Sequence, residues 1–284
     1  MTTSAPQLSV VVPCFNEAPS LEQLAEEIRA ACRKANLTFE VWLVDDGSDD
    51  DTWARIREIH EEDPRFAGIR FRRNHGKSAA LAVGFERVRA PYVATIDADL
   101  QDDPAEIPEM LEKLRTEELD LVSGWKHDRK DRWTKTLPSR FFNAVTRGVS
   151  GISLHDFNCG LKVYRREVVE NIQIYGELHR YIPLLAKWEG FSRIDEKPVR
   201  HRSRQHGSTK FGSERFIRGF LDLISVVFLT RFAARPMHFF GTLGTLCFLA
   251  GFVINAYLTV LKFMGQPLSD RPLLFLGMLL ILVG

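Results

Sequence analysis

Two carboxylates, Asp97 and Asp99, stand one residue apart after a short run (residues 92–96, YVATI) that is mostly β-branched or aromatic and reads as a buried strand. An acid pair at the carboxyl end of a strand can share a hard divalent cation whose other ligands are phosphate oxygens. Gln101, Asp102, Asp103 and Pro104 follow, and the last three also suit the cap and first turn of a helix running to Leu114. Asp102 and Asp103 are assigned mainly to capping and the Asp97/Asp99 pair mainly to metal. A second strand-like run, residues 39–44, also ends in acids: Asp45, Asp46, Gly47, Ser48, Asp49. The sequence His75-Gly76-Lys77-Ser78 ends like a phosphate-binding loop, but the motif's first glycine would fall on Phe71, so an ATPase is excluded. Lys77 is then either a phosphate ligand at a helix N-terminus or a solvated loop lysine.

The elements that must hold these residues alternate. Residues 8–12 form a strand stopped by Pro13, and Asn16, Glu17 and Pro19 open a helix with Leu21, Leu24, Ile28 and Ala31 on one face. Trp53, Ile56 and Ile59 mark a second helix, residues 66–71 a third strand, residues 78–88 a third helix and residues 92–96 a fourth strand. Strands and helices at this interval specify an α/β fold with a parallel, doubly wound sheet. The polar loops PCFNE, DDGSDD and DADLQ then share one sheet edge and form a nucleotide-sized crevice. No GxGxxG follows any strand, which removes a dinucleotide-dependent oxidoreductase.

The net charge of +1 indicates no nucleic acid partner. Cys14, Cys32, Cys159 and Cys247 have no CxxC or ligand spacing and read as reduced thiols. His155, His179, His201 and His206 also lack ligand spacing and read as surface or interface residues. The N-terminus has no basic segment ahead of an apolar run, so no signal peptide is expected and the first domain stays cytoplasmic.

The motifs VVPCFNE (residues 11–17), DDGSDDDT (45–52), NHGKSAAL (74–81) and DADLQDDP (97–104), in this order, resemble the GT-A nucleotide-diphospho-sugar-binding fold of inverting family 2 glycosyltransferases. LPSRFFN (137–143), LHDFNCGLKVYRR (154–166) and HRSRQHGSTKFG (201–212) are similar to the branch that glycosylates polyisoprenyl phosphates. Dolichol-phosphate mannose synthases and undecaprenyl-phosphate sugar transferases belong to that branch. The resemblance implies that Pro13, Asn16, Glu17 and Asp45 or Asp46 hold the nucleoside of a UDP- or GDP-sugar, with Lys77 near its phosphates. It implies that Asp97, Asp99 and Gln101 hold Mg²⁺ or Mn²⁺ and the diphosphate, and that Arg140, Arg202 and Lys210 bind the acceptor phosphate. Asp156 matches the acid placed near the acceptor: it takes a residual proton, orders a cationic neighbour or contacts the metal. Lys126 stands where many relatives have arginine, and lysine lacks the two-pronged geometry of a bidentate phosphate contact.

Basic residues interleaved with aromatics in residues 126–147 and 193–218 suit an anionic bilayer surface, where each Lys or Arg is worth about 1 kcal/mol. Phe216, Ile217, Phe220, Leu221, Ile224, Val227 and Phe228 recur at helical spacing, and residues 213–235 read as an amphipathic interfacial helix. Residues 239–261 carry no charge and would span ~34 Å as a helix, enough to cross the hydrocarbon core. Arg231 and Arg235 place its N-terminal end in the cytoplasm. A further apolar run from Leu273 gives only ~18 Å of helix, and a truncated second span is expected.

The expected organisation is a catalytic domain over residues 1–212, a juxtamembrane helix over 213–235 and a membrane region over 236–284, with complete span about 238–262. The expected protein is a multi-pass enzyme of a bacterial-type inner membrane that moves one sugar onto a polyisoprenyl phosphate. The resemblance further implies a homo-oligomer, dimer or tetramer. Asp99 and Arg140 join Asp156 as the residues carrying the chemistry. Two rivals are a transferase acting on a carbohydrate hydroxyl and a non-catalytic adaptor. The chain has no Q-x-x-R-W signature and too few spans for the first, and its intact acid pair speaks against the second.

Overall fold

A computed structural model of the chain describes residues 5–126, 147–148, 151–202, 236–266 and 272–284. It divides into two compact units, residues 1–223 and 224–284.

The first unit is built on one seven-stranded sheet in the order β3-β2-β1-β4-β6-β5-β7. Strands β1 (Leu8–Cys14), β2 (Phe39–Asp45), β3 (Phe66–Arg70) and β4 (Tyr92–Thr95) are parallel, as the alternating pattern requires. Their connections are α1 (Ala18–Lys34), α2 (Thr52–Glu62) and α3 (Lys77–Phe85). After β4 come a 3₁₀ turn (Pro104–Glu106), α4 (Ile107–Thr116) and β5 (Leu121–Trp125). The chain then returns through β6 (Lys162–Arg165), α5 (Arg166–Asn171), a second 3₁₀ turn (Leu178–Tyr181), α6 (Ile182–Trp188) and β7 (Ile194–Pro198).

β1 and β4 are central, so nearly every side chain on them is buried and alternation gives way to a continuous apolar run. α1 turns Leu21, Leu24 and Ile28 onto this core at three- and four-residue spacing, and Arg33 and Lys34 in its last turn complement its dipole.

The sheet is mixed because one strand is reversed. β6 lies antiparallel between β4 and β5, with Thr95 opposite Lys162 and Ser123 also opposite Lys162. It starts only at Lys162, because residues 157–161 are turn and coil with Gly160 held close beside Asp97. β6 is thus four residues long, too short for periodicity to reveal its direction.

In the second unit, α7 (Pro236–Phe263) is long and apolar enough to cross a membrane, and α8 (Pro272–Val283) is apolar but shorter. They approach closely where a Cβ on Gly251 would lie 2.6 Å from the Gly277 carbonyl oxygen. The interfacial helix expected over residues 213–235, with Arg231 and Arg235, lies outside the described residues.

Candidate active site

The strand order reverses between β1 and β4, the point in an open α/β sheet where ligands bind beyond the strands' carboxyl ends. Pro13 helps to open that crevice. Val11 accepts from the Ile96 amide at 3.3 Å, and two residues on, Pro13 faces the same side without a donor to continue the ladder.

Three loops are laced together at the β1–β3 edge. Asn16, at φ +56°, donates its amide to Ser48 Oγ at 2.9 Å, and its Oδ1 accepts from the Asp49 amide at 3.0 Å. The Glu17 amide donates to Thr52 Oγ1 at 2.9 Å. Gly47, at φ +71°, lies so close to the 73–74 backbone that a Cβ would fall 2.4 Å from the Arg73 carbonyl carbon, and only glycine fits. A pocket of about 540 Å³ opens beside these loops, lined in part by Phe15, Ser48, Asp49, Arg70 and Asn74.

The two acids after β2 have different tasks. Asp45 is fully buried; its Oδ1 accepts from the Ser48 amide at 2.9 Å, while Oδ2 accepts no hydrogen bond and has Arg70 Nε 3.4 Å away. Asp46 accepts from the His75 and Gly76 amides at 2.7 and 2.8 Å and so fixes the start of α3. Burial raises its pKa against the pull of those two donors.

That staple sets Lys77 at the first position of α3, from which its Nζ reaches Asp97 Oδ1 at 2.5 Å. On the other side of Asp97 the chain bears no side chain: a Cβ on Gly160 would lie 2.5 Å from Asp97 Oδ2. Asp99 Oδ1 accepts from the Gln101 amide at 3.2 Å, in a turn that Leu100 closes at φ +59°. The oxygen donors present, Asp97, Asp99 and the Gln101 side chain, suit a hard Mg²⁺ or Mn²⁺ ion shared with phosphate oxygens, and a cation, the Lys77 ammonium, already sits on Asp97. Among the described residues no group of three His, Cys, Asp or Glu forms a closed metal cage.

Lys162, which the sequence pattern does not single out, is buried on β6 and donates to the Cys159 carbonyl. Burial lowers its pKa, while Asp156 and Asp97 act in the opposite sense. Its strand neighbour across β4, Thr95, donates to the Gly160 carbonyl at 2.9 Å and lies 3.2 Å from the Tyr164 hydroxyl. Beside it, Ser78 Oγ lies 3.0 Å from His179 Nδ1, and burial followed by the Lys77 charge pushes His179 down to about 2. His179 is therefore a neutral residue of this wall rather than a surface one. The buried Asp156 accepts from the Asn158 amide at 3.1 Å.

Asp103 caps the 3₁₀ turn through the Ala105 amide at 3.0 Å, as expected, but Asp102 does not cap. It is buried between Lys126 at 3.0 Å and His201 at 3.3 Å. Burial alone would raise its pKa; the His201 hydrogen bond and the Lys126 charge outweigh it and hold the group at about 2. Arg202 donates to both Glu27 oxygens at 2.8 Å and to Asp103 at 3.0 Å, and its amide donates to the Gln101 carbonyl at 2.7 Å. His155 stacks on Trp125 and is held by Glu196. Arg140 and Lys210 lie outside the described residues.

Residues 9–173 match the family model for glycosyl transferase family 2. The chain belongs to that family. It is 40% identical over 280 residues to a dodecaprenyl-phosphate galacturonate synthase of Rhizobium johnstonii, covering 97% of this chain and 83% of the relative. An undecaprenyl-phosphate 4-deoxy-4-formamido-L-arabinose transferase of Pseudomonas paraeruginosa is 35% identical over 257 residues, covering 90% and 74%. The GT-A-like fold is shared with a glucosyl-3-phosphoglycerate synthase from Mycobacterium tuberculosis solved with Mn²⁺, UDP and phosphoglyceric acid (TM-score 0.62, 21% identity, 78% of each chain). A mannosyltransferase from Pyrobaculum calidifontis, solved with GDP-mannose and Mn²⁺, superposes with TM-score 0.57 at 21% identity over 78% of this chain and 65% of that one.

Proposed function

We propose that the chain is a metal-dependent inverting glycosyltransferase that moves one sugar from a nucleotide-sugar to a polyprenyl phosphate at the cytoplasmic face of a membrane. The observation that carries this reading is the 40% identity to a dodecaprenyl-phosphate sugar transferase across 97% of the chain, well past the residues that the family model covers. It extends through α7, whose length and composition suit a membrane span, and a second span beginning at α8 would make the protein multi-pass.

The donor's nucleoside is assigned to the pocket lined by Phe15, Ser48, Asp49, Arg70 and Asn74, where the buried Asp45 helps to place Arg70 through their ion pair. Its diphosphate would lie between Lys77 and the Asp97/Asp99 pair. When bound there, Mg²⁺ or Mn²⁺ neutralises charge on the departing diphosphate. The acceptor is a phosphate monoester with a second pKa near ~6, so it arrives largely dianionic and needs no strong base. What it does need is cationic guidance, assigned to Lys126, Arg140, Arg202 and Lys210. Lys126 and Arg202 are engaged with Asp102 and with Glu27 and Asp103, so their part is to exchange toward the incoming phosphate. Asp156, buried and oriented by the turn at Asn158, is assigned a role as a proton acceptor, an ordering carboxylate or a metal contact.

The test is transfer of radiolabelled sugar in membranes containing the protein, with undecaprenyl phosphate, Mg²⁺ and a panel of UDP- and GDP-sugars. A mild-acid-labile lipid product, lost in Asp99→Ala and without metal, is expected from one donor. Binding of nucleotide with no product from any donor would overturn the enzymatic reading.

A further inference from the structure

The pair between Lys77 and Asp97 has no evident task in holding the fold. Both side chains are about one-third exposed, at 30% and 32%, and an ion pair so open to water contributes little stability. Its geometry is nonetheless specific. The Asp46 carboxylate fixes the His75 and Gly76 amides, which sets the first residue of α3, and the ammonium meets Asp97 Oδ1 at 2.5 Å. Gly160 brings its backbone against the same carboxylate, where a Cβ would lie 2.5 Å from Oδ2. A single-charge cation therefore stands on the oxygen that a divalent ion would need, in a contact cheap to break.

We propose that Lys77 is an internal placeholder for the metal: the divalent ion displaces its ammonium from Asp97, and the freed ammonium moves onto the donor's diphosphate. Lys77 is a positioning residue in this exchange, and the inference rests on the metal and donor assignment made above. Its consequence is coupling. The metal alone must compete with Lys77, whereas with a diphosphate present the lysine has a better partner and gives up Asp97 readily. Metal and nucleotide then strengthen each other's binding by the same factor, as linkage demands. Buried behind them, Lys162 cannot take over this role, because its ammonium is committed to the Cys159 carbonyl.

The experiment is Mn²⁺ titration by electron paramagnetic resonance on the full chain in detergent, with and without UDP and with and without GDP. Wild type is compared with Lys77→Met and Lys77→Arg. Removing an exposed ion-pair partner should tighten the binding of Mn²⁺ alone by about two- to fivefold in Lys77→Met. The same variant should lose most of the nucleotide-induced gain in Mn²⁺ affinity, and Lys77→Arg should stay near wild type in both. Unchanged or weaker binding of Mn²⁺ alone by Lys77→Met, when wild type binds the ion, overturns the exchange and leaves the metal assignment standing. Absence of Mn²⁺ binding by wild type, even with nucleotide, overturns both.

Discussion

Gly160→Ala isolates the wall opposite Asp97. The glycine has an ordinary backbone conformation, so the substitution acts through space alone. The new Cβ would stand 2.5 Å from Asp97 Oδ2, 2.6 Å from Cγ and 2.9 Å from Oδ1. Ordinary contact begins near 3.4 Å, so the carboxylate must retreat by roughly 1 Å. Asp97 is about one-third exposed and can rotate away, so the fold should lose no more than about 1 kcal/mol. A displacement of that size at a reacting centre costs on the order of 100-fold in rate. The expected result is a melting temperature within a few degrees of wild type, roughly in line with that loss, together with transfer to undecaprenyl phosphate reduced by about two orders of magnitude. Weaker Mn²⁺ binding should accompany it. Wild-type turnover and metal affinity in a properly folded Gly160→Ala would refute the placement of Asp97 at the reacting centre.

Other substitutions probe the rest of the site. Asp156→Asn should lower turnover more than donor binding, and an equal loss of nucleotide affinity would move this residue to the donor side. Lys162→Met should keep or raise the melting temperature, because burying an ammonium with one carbonyl partner is costly, yet it should lower transfer at least about tenfold. Asp102→Asn strands a buried Lys126 and should cost about 3 kcal/mol in denaturant unfolding. Away from the site, bonds from Arg65 hold Asp63 down to about 2, with Arg29 adding a further bond. A depressed carboxylate stabilises the fold above its unfolded pKa near ~4 and loses that contribution as pH falls toward ~2. Stability of Asp63→Asn should therefore depend less steeply on pH across that window.

Much of the donor half was legible because each of its signals is local. Strands β1 and β4 are nearly continuous apolar runs, the acidic loops follow β2 and β4 at once, and Leu21, Leu24 and Ile28 repeat at helical spacing. What escaped depends on partners far along the chain. Asp45 and Asp46 look equivalent in sequence, and only the 71–77 loop separates the buried acceptor from the staple of α3. Asp102 reads as a cap until Lys126 and His201 arrive on either side of it. Lys162 carries no local signal because its burial comes from strand neighbours Ser123 and Thr95, far earlier in the chain. The acidic segment PAEIPEM gave its helix correctly, but not that the first turn is 3₁₀.

The reversed strand also bears on how the molecule is made. β4 and β5 are in place in the chain well before β6, yet neither pairs with the other; each waits for residues 162–165 to be inserted between them. At roughly 5–20 residues per second of synthesis, the gap from Trp125 to Lys162 leaves two hydrophobic strand edges unpaired for several seconds. The same insertion delivers Gly160 and Lys162 to Asp97. A nascent chain therefore cannot set Gly160 against Asp97 before β6 bridges β4 and β5, and the wall beside Asp97 and the middle of the sheet close together.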